Sequence, residues 1–188
     1  MSFSHNKSDP RVERTRALIL DSFSQLLQER GFEAMTVSDI AQYATINRAT
    51  FYAHFTDKHA LLKHKIATEF DKALRQILAR EDTVNEATLR KIVFLLCHFV
   101  GGNHERCQEA GLTYRPLIEQ EVRSYLSGFL AQRLVRKNGE SGIPTELAAE
   151  VLTAALYATA SYWASQASES PQLFADRAVK LLLPLLNI

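Results

Sequence analysis

The chain is poor in the residues that make turns, sheets and cross-links. Its 188 residues include only seven Gly, five Pro and two Cys, and alternating β-branched segments are scarce. This composition favours helices over sheets. The two cysteines, Cys97 and Cys107, are too few for the disulfide framework of a small secreted domain. We therefore predict an all-α fold without such a framework.

Long apolar segments are absent too. No window of about 18 residues is apolar throughout, as a membrane-spanning helix would require. The first ten residues, MSFSHNKSDP, are polar and lack the apolar core of a signal peptide. We expect a cytoplasmic protein with no membrane partner, in which residues 1–10 form a disordered N-terminal tail.

The summed charge is close to zero. A formal net charge of +1 excludes a nucleic-acid binder that relies on bulk positive charge. Residues 1–65 hold nine Lys and Arg against seven Asp and Glu, whereas residues 66–188 hold thirteen against fourteen. If the first part binds DNA, a few placed cations, doubled by dimerisation, must supply the contacts.

What the chain does contain is a series of helical patterns. The first, RVERTRALILDSFSQLLQERG, places Ile19, Phe23, Leu26 and Leu27 on one stripe and ends at Gly31. A long amphipathic helix starts in TDKHALLKHKIATEFDKALRQILAR, and a strongly apolar one, EATLRKIVFLLCHFVGG, is predicted to end at its glycine pair. Three further helical segments follow, beginning RPLIEQ, PTELAA and PQLFAD.

Between the first two long helices lie two short ones. In TVSD, the hydroxyl of Thr36 can cap a helix while Asp39 reaches back, which is a capping box. The segment TIN then breaks this helix, and Asn47 can cap the next, RATFYAHF. Two short helices joined by about three residues make a helix-turn-helix.

The second helix of such a motif enters the major groove of DNA, so it needs one apolar face and one face of short donors. Ile46, Phe51 and Phe55 are predicted to face inward. The outward residues are Arg48, Ala49, Thr50, Tyr52 and His54. All but Ala49 have side chains that can donate to phosphate oxygens or, for the arginine, to a guanine edge, and the small Ala49 permits close approach to the bases.

The segment TVSDIAQYATINRATFYAHFTDKHALL resembles the DNA-binding domain of the tetracycline-repressor (TetR) family of bacterial transcriptional regulators, with matching positions from about Arg14 to Leu62. The resemblance implies an all-helical homodimer: a three-helix DNA-binding domain over 11–56, and a larger helical ligand-binding and dimerisation domain over 57–188. It also implies that Thr36 and Lys58 touch the DNA backbone. The full predicted DNA-binding set is Thr36, Asn47, Arg48, Ala49, Thr50, Tyr52, His54 and Lys58.

One residue departs from the family pattern. Thr45 stands at a turn position where the family usually has glycine. A left-handed backbone would strain a β-branched residue there by roughly 1–2 kcal/mol. Either the turn has another conformation or the strain is tolerated.

The second domain needs a cavity that is mostly apolar with a few polar handles. Its aromatic residues are the candidates for this lining, although aromatic stripes also serve simply as core. The predicted pocket residues are Phe94, His98, Phe99, Tyr125, Phe129 and Tyr157.

A metal site is the alternative use of this region. Cys97, His98, His104 and Cys107 could supply four zinc ligands. Adjacent residues on a helix point about 100° apart, however. We therefore expect neither a metal nor another cofactor.

The last two helices are rich in small residues and leucine, which favours close pairing with a symmetry mate in a four-helix interface. The alternative is that they only cover their own core. The predicted interface residues are Leu152, Ala155, Leu156, Thr159, Trp163 and Val179.

The sequence thus predicts a regulator that binds double-stranded DNA, most simply a homodimeric repressor that a small-molecule effector releases from a palindromic operator. An activator with the same DNA-binding fold is the alternative, and a structural adaptor is a third. An enzyme is not expected, since the chain has no Glu-x-x-His pair, no phosphate-binding glycine-rich loop and no nucleophile elbow.

Overall fold

The computed structural model describes residues 9–79, 83–110, 115–134, 143–166 and 169–187. These residues form helices, turns and short connections and contain no strand, which confirms the predicted all-α fold. The helices are α1 (Pro10–Arg30), α2 (Val37–Tyr43), α3 (Arg48–His54), α4 (Lys58–Ile77), α5 (Glu86–Ala110), α6 (Arg115–Leu134), α7 (Thr145–Gln166), α8 (Pro171–Leu182) and a 3-10 helix, Leu183–Asn187.

The chain divides into two compact units. The amino-terminal unit ends at Lys65 and the carboxy-terminal unit begins at Ile66, so the division falls inside α4. The domain boundary placed from sequence between 56 and 57 lies a few residues earlier, just before α4, and stays a prediction.

Helix α1 begins within the last two residues of the N-terminal tail that the sequence predicts over residues 1–10. Asp9 caps α1, because its Oδ1 accepts a hydrogen bond from the backbone N–H of Arg11 at 2.9 Å. Pro10 occupies the first turn, where its missing N–H costs nothing. Residues 1–8 lie outside the described residues.

The core of the amino-terminal unit is built from the predicted apolar stripes and from aromatic residues next to them. Phe23 packs edge-on against Phe32 with ring centroids 6.3 Å apart, and Phe51 lies 6.0 Å from Phe55. Burying one such side chain contributes roughly 1.5–3 kcal/mol. The buried residues include Ile19, Phe23, Leu26, Phe32, Met35, Ile40, Ala41, Phe51, Phe55, Leu61 and Leu62.

In the carboxy-terminal unit, α7 packs against α5, α6 and α8. The glycine pair predicted to end α5 does not end it, since the helix continues to Ala110. Gly101 has a packing role instead: a Cβ there would lie 2.9 Å from the ring of Trp163 on α7. The indole N–H of Trp163 donates to the carbonyl of Glu169 at 2.9 Å, which fixes the ring.

Candidate nucleic-acid interface

The start of α2 is held by the predicted capping box. The N–H of Asp39 donates to Thr36 Oγ1 at 3.2 Å, while the N–H and the hydroxyl of Thr36 donate to Asp39 Oδ2 at 2.8 and 2.6 Å. These hydrogen bonds, first of all that from the Thr36 side chain, hold the pKa of the Asp39 carboxyl below its usual value. The exposed hydroxyl of Thr36 is therefore already engaged in the cap.

The turn between α2 and α3 resolves the question raised by Thr45. Its φ is 55°, which makes it the one non-glycine residue with positive φ in the part of the chain that the structure describes. The N–H of Thr45 donates to the carbonyl of Gln42 at 3.1 Å, and that of Ile46 donates to the carbonyl of Ala41 at 2.9 Å. The turn is left-handed, and the threonine tolerates the strain.

Helix α3 presents the predicted surface. Asn47 caps it by accepting from the N–H of Ala49 at 2.9 Å. Phe51 is fully buried beneath the helix, whereas Arg48 and Ala49 are exposed. On the same short helix, Tyr52 is 48% exposed, and Thr50 and His54 are half-buried.

The arrangement therefore brings a guanidinium, a hydroxyl, a phenol and an imidazole onto one helix of seven residues. Ala49 leaves room between them for close approach to a base edge. The half-buried position of Ile46 differs slightly from the inward position expected of it.

Lys58 has a role that the sequence did not reveal. Its ammonium group donates to the carbonyls of Phe32, Glu33 and Met35 at 3.0, 3.3 and 3.0 Å, and lies 4.6 Å from the centroid of the Phe32 ring. The three N–H groups of a lysine are thus directed at the loop between α1 and α2. Those partners lie 23–26 residues earlier in the chain, so no local pattern indicates them.

Side chains of α1 and α4 support the end of α3. The guanidinium of Arg16 lies 5.3 Å from the centroid of the Phe55 ring, and the His64 ring lies 5.6 Å from it on α4. Burial, followed by the charge of Arg16, lowers the pKa of His64. The Lys65 ammonium donates to the hydroxyl of Ser24 at 2.8 Å. Helices α1 and α4 thereby hold the residue that ends α3.

The carboxy-terminal unit contains a cavity of about 370 Å³. Two of the six predicted pocket residues, Tyr125 and Phe129, line it. The full lining is Arg75, Ser124, Tyr125, Gly128, Phe129, Gln132 and Arg133.

The other four predicted pocket residues lie elsewhere. His98 is exposed and packs on the half-buried Phe94, with ring centroids 4.6 Å apart. Phe99 packs edge-on against Phe70 at 5.3 Å, and Tyr157 is buried.

Half of the predicted dimer residues are turned into their own unit. Leu152, Leu156 and Val179 are fully buried there, which leaves them no surface for a partner. Ala155, Thr159 and Trp163 are half-buried, and the hydroxyl of Thr159 donates to the carbonyl of Ala155.

A different apolar set on the same helices is exposed. We call it the α7–α8 stripe. The sequence did not reveal it, because α7 carries apolar residues on two faces and spacing alone does not say which face is outward. Its members are Leu147, Val151 and Tyr162 on α7 and Leu173 and Leu181 on α8.

Among the described residues, no three side chains of the metal-binding types come together, and no helix is long and apolar enough to cross a membrane. Burial raises the pKa of Cys97 to about 12, which keeps this thiol protonated. The side chains of His104 and Cys107 lie outside the described part.

Comparisons with known proteins agree with this geometry. Residues 19–64 match the family described as bacterial regulatory proteins, tetR family. YxbF, an uncharacterized HTH-type transcriptional regulator of Bacillus subtilis (strain 168), is 41% identical over 59 residues, which are 31% of this chain and only 16% of that protein.

Two further similarities extend over most of the chain. The fatty acid metabolism regulator protein of Bacillus subtilis (strain 168) is 24% identical over 161 residues, covering 77% of this chain and 81% of that protein. Thermus thermophilus FadR, a TetR-family repressor crystallised with lauroyl-CoA, shares the fold with a TM-score of 0.60 and 19% identity over 89% of this chain and 93% of its own. The capped α2, the left-handed turn, the exposed face of α3 and the family match together identify residues 19–64 as a helix-turn-helix region similar to the DNA-binding region of the tetR family of bacterial regulatory proteins.

Proposed function

We propose that the protein is a ligand-responsive repressor that acts as a homodimer on a palindromic operator in the cytoplasm. The observation that carries the DNA-binding part is the exposed donor face of α3, fixed by a capped start and a hydrogen-bonded turn. A recognition helix needs this preorganisation, because its side chains must meet base edges and phosphates within hydrogen-bond distance.

Within this face the residues have different tasks. Arg48 is the residue suited to a bidentate contact with guanine. Tyr52, Thr50 and His54 suit phosphate oxygens, which position the helix without reading sequence. Lys58 contributes by holding the loop before α2, since its ammonium group already has three carbonyl acceptors.

The homodimer is supported by the α7–α8 stripe. Its five exposed apolar side chains lie on two helices that pack against each other, and apolar surface on neighbouring helices favours association. A second copy of the chain is the simplest partner, because a two-fold axis gives two recognition helices for two half-sites about 34–36 Å apart.

The effector is proposed to bind in the carboxy-terminal unit. Acyl-CoA thioesters are the first candidates, since a similar protein regulates fatty acid metabolism and another was crystallised with lauroyl-CoA. Such a ligand can release the protein from DNA only if it binds the free state more tightly than the DNA-bound state.

The test begins with the operator. Repeated selection from random double-stranded DNA should yield an inverted repeat that the wild-type protein shifts in a gel. We expect Arg48→Ala and Tyr52→Ala each to weaken binding about tenfold or more, with folding and dimerisation intact. Gln28→Ala, at an exposed position on α1, is the matched control.

Unchanged affinity in both α3 variants would refute the assignment of α3. Lauroyl-CoA added to the shifted complex should release the DNA. If it does not, acyl-CoA is excluded as the effector while the DNA-binding assignment stands.

A further inference from the structure

The cavity beside α6 has an unusual balance of charge. Its lining holds two guanidinium groups, Arg75 and Arg133, and no carboxylate. The remaining polar side chains, Ser124, Tyr125 and Gln132, all have N–H or O–H donors. At about 370 Å³ the cavity falls in the lower part of the range of small-molecule sites.

Arg133 is held in place but has no counter-charge among the described residues. Its guanidinium lies 3.6 Å from the centroid of the Phe129 ring, a cation–π contact that fixes the plane of the group. Its Nε is buried and has no hydrogen-bond partner, and no carboxylate pairs with it in the part of the chain that the structure describes. Buried polar groups are nearly always bonded, so an orphaned guanidinium nitrogen beside a cavity indicates a missing acceptor.

Arg75 shows which acceptor suits this cavity. Its Nε and the hydroxyl of Tyr125 both donate to the same oxygen of Asp71. A guanidinium and a phenol thus already share one oxyanion at the edge of the cavity. Arg133, one turn beyond Phe129 on the lining helix, has no equivalent of Asp71 among the described residues.

Gly128 provides the space for such an acceptor. It lies inside α6, where glycine is less favourable than alanine, and a Cβ placed on it would meet nothing within 4 Å. Packing therefore does not require glycine here. Its effect is to leave the cavity floor open between Ser124 and Gln132, one turn to either side.

We propose that this cavity binds the anionic group of a small organic ligand, a carboxylate or a phosphate ester, with Arg133 as its counter-charge and Gln132 as a neutral donor. This inference rests on the proposed function in one respect, namely that binding of the anion regulates the protein. The binding itself follows from the cavity.

The test uses four probes with one tail: octanoate, octyl phosphate, octanol and octylammonium. Isothermal titration of the full-length protein should show binding of at least one anion and tenfold weaker binding of the alcohol and the cation. The two anions distinguish carboxylate from phosphate. Binding of octanol as tight as that of the anions, or anion dissociation constants that are all above about 1 mM, would overturn the proposal.

Two variants locate the site. Gly128→Leu should fill the cavity without a clash and abolish anion binding, while Gly128→Ala controls for the change in helix propensity. Arg133→Gln keeps hydrogen-bond donors but removes the charge, and should weaken anion binding about tenfold or more. Full anion affinity in both Gly128→Leu and Arg133→Gln would show that the anion binds elsewhere.

These variants also separate the inference from the proposed function. Neither residue lies on the DNA-binding face, so ligand-free Gly128→Leu and Arg133→Gln should retain operator affinity. Loss of anion binding with operator affinity kept supports the site. Normal operator binding by a wild-type protein that binds no anion refutes the site alone.

Discussion

Thr45 is the one residue of the helix-turn-helix whose backbone has a positive φ. A β-branched residue at φ 55° brings its side chain too close to its own backbone, yet the hydrogen bonds of the turn on either side are made. The surrounding caps and the buried Phe51 fix the turn strongly enough to impose this conformation. The neighbouring caps and Phe51 therefore offset the strain, and a substitution at Thr45 alone can remove it.

Thr45→Gly should raise the free energy of unfolding by about 1 kcal/mol, because glycine adopts the left-handed conformation without a Cβ clash. The greater entropy of glycine in the unfolded chain offsets part of this gain. Urea denaturation measures the change. Thr45→Ala, which keeps a Cβ, is the control and should gain less. A Thr45→Gly protein no more stable than the wild type would mean that the turn is not strained.

His64 predicts a pH dependence. Its folded-state pKa is lowered from 6.5 by burial and by Arg16, so the unfolded chain binds the proton more readily. Stability that is present above pH 6.5 should therefore decrease as the pH falls from 6.5 through the lower, folded-state pKa. Urea midpoints of the wild type and His64→Gln across this interval isolate the contribution, and parallel curves would contradict it.

At the scale of helices, the sequence predicted what is local and missed what is distant. Thr36 and Asn47 were identified as caps because each bonds to a residue two or three positions away. The partners of Lys58 lie more than twenty residues earlier, so its contact with the α1–α2 loop follows only from the folded chain. The end of α5 was misplaced because glycine usually stops a helix, whereas Gly101 makes room for Trp163.

Lys58→Met should lower the free energy of unfolding by roughly 1.5–3 kcal/mol, since charge-assisted hydrogen bonds to the loop before α2 are lost and their carbonyl acceptors are left without this donor. Thermal or urea unfolding reads out the loss. Lys72→Met, at an exposed position on the same helix, is the matched control. Equal stability of the two variants would show that the Lys58 contacts are not stabilising.

For the whole molecule, the exposed α7–α8 stripe is the feature that a single chain leaves unexplained. Periodicity predicted that α7 and α8 form an interface but selected residues such as Leu152 and Leu156, which are fully buried in their own unit. An apolar residue spaced for a helix can face its own core or a partner, and only the fold distinguishes the two. Likewise, the aromatic pattern included Tyr125 and Phe129 but could not indicate the arginines of the cavity.

Leu181 is 80% exposed and is the most sensitive point for testing this surface. Leu181→Glu should convert the proposed dimer into monomer and weaken operator binding, because a carboxylate would be desolvated in an apolar interface. Analytical ultracentrifugation measures the molecular mass. Gln172→Glu adds the same charge about 100° around α8 from Leu173 and should stay dimeric. A dimer that persists in Leu181→Glu would place the interface elsewhere.

The contact between Gly101 and Trp163 has a practical consequence for spectroscopy. Trp163 is the single tryptophan of the chain, and its ring is held between the α5 backbone and the carbonyl of Glu169. Its emission therefore reports one place, the contact of α5 with α7, without an engineered label. A shift in emission on addition of an effector or of operator DNA would show that the event changes the surroundings of Trp163 at the contact of α5 with α7.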